Sequence, residues 1–151
     1  MAGHVTDQAY FTQLMKQVKE LGLESSCEYA GIFDKQQMTH ALSHSLAVLS
    51  FQRVSNLSNI CIETLAAGAV LVAPDDGSLN GIVEDNVSGI LVRDSAEGAD
   101  RIAKLIEHPS QIKRLGSEAS QAVKRNFRSW DERVQDEMML IESSSSRSQA
   151  A

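Results

Sequence analysis

A chain of 151 residues with 42% hydrophobic content can bury one ordinary core and is most simply one domain. Its net charge of −6 and pI near 5.1 argue against nucleic acid or an anionic membrane as main partner, because both are gripped through basic patches. No window approaches the roughly 18 uninterrupted apolar residues of a spanning helix, and no charged-then-apolar leader opens the chain.

Asp7 is placed to cap a helix in which Phe11, Leu14, Val18 and Leu21 recur at helical spacing, ended by Gly22. Residues 27–32 read as a strand, Asp34 caps a second helix through about Leu42, and residues 46–51 form the next strand. Residues 60–67 read as a helix carrying one acid, Glu63, on its buried side. Gly68 stops that helix, and residues 69–73 are an apolar run typical of a strand covered on both faces. Asp75, Asp76, Gly77 and Ser78 make a turn into a short helix, and residues 89–92 are another strand. A helix from Ser95 lines up Ile102, Leu105 and Ile106. Pro109 opens a further helix with Ile112, Leu115, Ala119, Ala122 and Val123 inward, and a last one runs from about Ser129 to Ile141. The Ser-rich residues after 142 have nothing to pack and are expected to be disordered, which divides the chain into a domain at 1–142 and a tail at 143–151.

Strands alternating with helices predict an α/β fold with a doubly wound parallel sheet. In such sheets ligands sit where strands end and helix N-termini begin. The junctions at 55–59 and 76–80 are of that kind, so this part of the chain reads as a ligand-facing edge. Other residue groups read more plainly. His40 and His44 lie four apart on a helix with no third ligand in view, so they are solvated surface histidines, and no metal site is expected. Cys27 and Cys61 read as reduced, buried thiols. Trp130, Met138, Leu140 and Ile141 form an apolar stripe, read first as core and otherwise as an exposed interaction surface.

The segment 55–92 also resembles a known family. Leu57-Ser58-Asn59, then Glu63, Leu65-Ala66-Ala67-Gly68, Val70-Leu71-Val72-Ala73, Gly77, Ile82-Val83 and Gly89-Ile90-Leu91-Val92 follow in order the signature of the retaining glycosyltransferases of group 1, family 4, which have the GT-B fold. Glu28-Tyr29-Ala30-Gly31 resembles that family's strand ending in Gly, and Phe127-Arg128-Ser129-Trp130 resembles the start of its last helix. The likeness covers roughly residues 8–142. It implies the Rossmann-like C-terminal half of a GT-B enzyme with the first strand missing: residues 1–5 match the tail of the second strand. The family's opening Gly-rich strand and its basic Arg/Lys pair, which grips the donor diphosphate, are then absent.

What the resemblance implies for function is retaining transfer of a sugar from a nucleotide diphosphate donor to an acceptor hydroxyl. No cofactor is required beyond that substrate, a nucleotide sugar such as a UDP- or GDP-sugar. The chain would be the donor-binding half only, inactive alone, and partnered by an N-terminal acceptor domain or another chain. Location would be cytoplasmic, or on the cytosolic face of an endomembrane through a missing portion. The family's glutamate on the ribose hydroxyls falls on Glu63, whose two carboxylate oxygens suit a diol. By periodicity alone Glu63 reads as a solvated or helix-dipole acid. Asn56, Leu57, Ser58 and Asn59 would offer backbone N–H groups to the diphosphate, with Gly31 and Gly77 also lining the donor site. The catalytic position is Ser55, where the family has an acid, and another family glutamate falls on Gly81. Serine hydrogen-bonds but places no negative charge beside a developing oxocarbenium-like centre, a loss that typically costs a few kcal/mol of barrier. These departures keep open a second reading, a non-catalytic α/β binding or scaffold domain derived from a glycosyltransferase.

Overall fold

In the computed structural model, which describes residues 1–51 and 57–148 with side chains through 141, the most protected segment is the apolar run that the sequence marks as a two-faced strand. Strand β2 (Val70–Pro74) lies between β1 (Ala47–Leu49) and β3 (Ile90–Val92) in a parallel three-stranded sheet, with Val48 opposite Leu71 and Ala73 opposite Leu91. Alternation along β2 splits its side chains between two cores. Leu71 and Ala73 join Cys61, Leu65, Leu79, Val83 and Ala119 on one face; Val70 and Val72 join Ile90, Val92, Leu105 and Leu115 on the other. Burial on both faces explains why the run carries no polar alternation.

The chain separates into two compact units, residues 1–41 and 42–151. In the first, helix α1 (Gln8–Glu20) is capped by Asp7 Oδ1 accepting the Tyr10 amide, and its Val18 is buried. Leu21, the last residue of the apolar spacing, follows the helix and is 71% exposed. Helix α2 (Lys35–His44) opens with a reciprocal cap: the Gln37 amide donates to Asp34 Oδ1 while the Asp34 amide donates to Gln37 Oε1. Residues 27–32, expected to be a strand, are not one. The Ala30 amide bonds the Met1 carbonyl and the Gly3 amide bonds the Gly31 carbonyl, but positive φ at Gly3 (138°) and Gly31 (74°) breaks the regular ladder.

In the second unit, helix α3 (Asn59–Ala66) closes on Gly68 at φ 71°, with the Gly68 amide on the Leu65 carbonyl and the Ala69 amide on the Thr64 carbonyl. This double closure needs a left-handed residue, which is why a glycine stands there. Helices α4 (Ser95–Glu107) and α5 (Pro109–Asn126) follow β3 and supply Leu105, Leu115 and Ala119 to the cores. The expected short helix after Gly77 is instead a series of turns, with single bonds from Ile82 and Val83 amides to the Leu79 carbonyl. Positive φ at Gly77 and Gly81 prevents a helix from propagating through it.

Helix α6 (Trp130–Ser148) begins on Ser129, whose Oγ accepts the Glu132 amide, and runs past Ile141, where the sequence reading ended it. Nothing in the Glu-Ser run stops a helix, since it holds neither Gly nor Pro. The core reading of its apolar stripe does not hold: Trp130 is 78% exposed, and Val134, Met138 and Ile141 are exposed as well. Among the described residues no helix is long and apolar enough to cross a membrane.

At the start of α4, Asp94 Oδ1 accepts the Glu97 amide, and Glu97 Oε2 accepts from both the Arg93 amide and Arg93 Nε. The Arg93 side-chain hydrogen bond, then its backbone bond, holds the Glu97 carboxyl below its ordinary value. A carboxylate lowered in the folded state adds stability that is complete above its unfolded pKa and is lost as pH falls through the folded value. The expected result is that amides in the first turn of α4 lose exchange protection below the usual carboxylate range, and that Glu97→Gln removes this pH dependence. Identical acid profiles for both proteins would contradict it.

Candidate functional site

The C-terminal ends of the three strands define one edge of the second unit. There the Ser50 amide still bonds the Val72 carbonyl and the Asp75 amide bonds the Val92 carbonyl, so β1 and β2 leave the sheet in register and hand the chain to the following loops. Helix α3 starts at this edge. Ser58, its N-cap, is extended (φ −80°, ψ 154°) but gives no side-chain cap. Its Oγ sits 3.2 Å from Cys61 Sγ, which also reaches Ser50 Oγ at 3.6 Å. Among the described residues the first-turn amides of α3 have no side-chain acceptor, the condition under which a helix end takes an anion.

Cys61, Thr64 and Leu65 form the inner face of α3, and the Thr64 hydroxyl is satisfied by the Ile60 carbonyl at 2.6 Å. Glu63 lies on the opposite side. It is exposed, which corrects the expectation of an acid on the buried side: with inward positions at 61, 64 and 65, helical geometry turns residue 63 to solvent. Its carboxylate forms no ion pair among the described residues, and a ligand diol can reach it. Asn59, about one turn earlier on the same helix, is exposed, while Leu57 packs against the Leu65–Leu71 core, so only its backbone is available to a ligand.

Ser55 and Asn56, the expected catalytic position and the first of the loop amides, lie outside the described residues. Gly77 stands in the turn after β2 at φ 84°, with the Asn80 amide on its carbonyl and the Ser78 amide on Asp76 Oδ1. The Asp-Asp-Gly sequence thus serves as a turn. Gly81, where the family resemblance places a glutamate, has φ 78° and accepts Asn126 Nδ2 at 3.2 Å, so a larger side chain there is strained. Gly31 belongs to the first unit, where its carbonyl takes the Gly3 amide. His40 and His44 are exposed, and among the described residues no three His, Cys, Asp or Glu side chains are grouped as a metal requires. Cys61 is buried and Cys27 half-buried, both as free thiols.

Two charged groups escaped the sequence reading. Arg93 follows β3 directly at this same edge, with its side chain 83% exposed; a strand-to-helix junction followed by the capping Asp94 was the available signal. Arg101, only 16% exposed, donates to the Leu91 carbonyl, Asp85 and Asn86 and fixes the turn that leads into β3. Its partners are distant in sequence, and nothing local announces them.

The glycosyl transferase-like family matches residues 10–138. Among curated proteins, the chain is 29% identical over 108 residues to D-inositol 3-phosphate glycosyltransferase of Frankia alni, covering 70% of this chain and 26% of that protein. It is 26% identical over 106 residues to trehalose synthase of Pyrococcus horikoshii, covering 63% of this chain and again 26% of the relative. The chain thus spans about a quarter of the length of these relatives. Among solved structures, sucrose-phosphate synthase of Thermosynechococcus elongatus superposes with a TM-score of 0.81 at 20% identity, over 97% of this chain and 38% of that one. HepE of Anabaena in complex with UDP-glucose gives 0.77 at 23% identity, over 93% of this chain and 38% of that one. At such identities these likenesses show the fold, a Rossmann-like α/β domain of the GT-B type. The family match, which runs from α1 into α6, makes this chain a member of the glycosyl transferase-like family.

Proposed function

We propose that this glycosyltransferase-derived domain binds the nucleotide diphosphate sugar donor, a UDP- or GDP-sugar, of a retaining sugar transfer to an acceptor hydroxyl. The observation that carries the reading is the start of α3. A helix end whose N-cap Ser58 gives no side-chain cap, and an exposed Glu63 one turn on with no ion pair among the described residues, offer an anion site and a diol acceptor on one short element. The diphosphate is assigned to the amides of Asn56, Leu57, Ser58 and Asn59, the ribose hydroxyls to Glu63, and the remaining contacts to the backbone around Gly77. UDP and UDP-glucose in the HepE complexes support this class of donor.

Calorimetry tests the assignment. UDP or GDP is expected to bind the wild-type domain, and Glu63→Ala is expected to weaken binding about ten-fold or more. Charge-assisted hydrogen bonds of roughly 1.5–3 kcal/mol are lost with the carboxylate. Binding that ignores the substitution would place the nucleotide elsewhere. Ser55 supports a second reading, a binding domain without transfer chemistry. A serine at the catalytic position cannot supply the negative charge that such a transfer uses in its transition state. A domain that binds nucleotide normally, but whose complete protein neither transfers nor hydrolyses the sugar, would favour that second reading.

A further inference from the structure

Ser58 has the backbone of a capping residue and does not cap. A serine in extended conformation before a helix ordinarily turns its Oγ back to accept the amide two or three residues on, here Ile60 or Cys61. The Ser58 Oγ takes neither, and stands instead 3.2 Å from Cys61 Sγ. The Cys61 amide bonds the Ser58 carbonyl, while the Asn59 and Ile60 amides have no acceptor among the described residues. The sulfur is held from behind. Cys61 is 4% exposed and belongs to the core of Leu65, Leu71 and Ala119. Its thiol is directed to Ser50 Oγ at 3.6 Å, and Ser50 is fixed to the sheet by its amide on the Val72 carbonyl. A thiol carries one hydrogen, so with that one given to Ser50 the sulfur is left to accept the Ser58 hydroxyl.

We propose that Cys61 is a positioning residue of the donor site. By holding the Ser58 hydroxyl, its sulfur keeps α3 uncapped and leaves the Asn59 and Ile60 amides open to a diphosphate. This rests on the donor reading above. A side-chain cap and a phosphate draw on the same helix end, so they compete. Without the sulfur, rotation of the Ser58 side chain brings Oγ onto the Ile60 amide. The helix gains its cap, and the nucleotide must displace it. Cys61 itself touches no ligand and acts through Ser58.

A double-mutant cycle on the whole chain tests this, read by urea unfolding and by calorimetry with UDP. In the wild type Ser58 is not a cap, so Ser58→Ala is expected to change the unfolding equilibrium by less than about two-fold. In a Cys61→Ala background Ser58 caps, and the same substitution is expected to destabilise about five-fold or more. Cys61→Ala is expected to weaken UDP binding about five-fold, and adding Ser58→Ala to restore it to within about two-fold of the wild type. A cavity in the core would not be repaired by removing a hydroxyl. The same effect of Ser58→Ala in both backgrounds, or UDP binding that Ser58→Ala fails to restore, overturns the proposal and leaves the donor reading standing. A wild type that binds no UDP overturns both. Should Cys61→Ala fail to fold, Cys61→Val fills the sulfur's place without an acceptor and runs the same cycle. Exchange of the Ile60 amide is then expected to slow relative to the wild type, and an unchanged rate overturns the proposal.

Discussion

Gly116→Ala is expected to destabilise the protein by about 3 kcal/mol or more, and its expression should yield little folded material. Helix propensity alone predicts the opposite sign, since alanine is favoured over glycine by about 1 kcal/mol in a helix interior. Packing decides against propensity here. A Cβ on Gly116 would stand 2.1 Å from the carbonyl oxygen of Gly68, and that oxygen belongs to backbone, not to a side chain that can swing aside. Gly68 is itself held at φ 71° by the closure of α3, so relieving the clash means separating α3 from α5 or undoing that closure. Urea denaturation measures the effect. A variant as stable as the wild type, or more so, would show that the two backbones do not approach as closely as this.

Leu71→Ala is expected to cost about 2–5 kcal/mol, a large share of the roughly 5–15 kcal/mol that holds a domain folded. Leu71 is fully buried in the central strand and fills the core formed with Cys61, Leu65, Leu79 and Val83. Its neighbours are anchored on separate elements, which limits their collapse into the space left behind. Ile106→Ala is the control. Although Ile106 shares an apolar spacing with Ile102 and Leu105, it is 60% exposed, and its truncation should change stability by no more than about 0.5 kcal/mol. Equal losses at the two positions would mean that the sheet core does not dominate stability. Both losses should also weaken nucleotide binding only in proportion to the unfolded fraction, because neither side chain belongs to the proposed donor site.

Such contrasts mark how far the sequence reaches. The unbroken apolar run at 69–73 between Gly68 and the Asp-Asp-Gly turn suffices to predict a two-faced strand, because only a strand buried on both sides lacks polar alternation. Asp7, Asp34, Ser129 and Pro109 mark helix starts by local capping chemistry, and the structure has helices beginning beside each. The ordered motif from Leu57 to Val92 was enough to indicate the family. Orientation and partnership across the chain were not legible. Glu63 was placed on the wrong side of α3, since the phase of an eight-residue helix is fixed by which residues meet the sheet and not by composition. The strand expected at 27–32 failed because a strand needs a partner in register, and the glycines at 3 and 31 turn the backbone out of it. Only tertiary structure brought Arg101 to Asp85 and Gly68 to Gly116, because these contacts join residues that no local pattern connects. The apolar spacing of α6 likewise tells that a face exists, while whether it is covered depends on what packs against it.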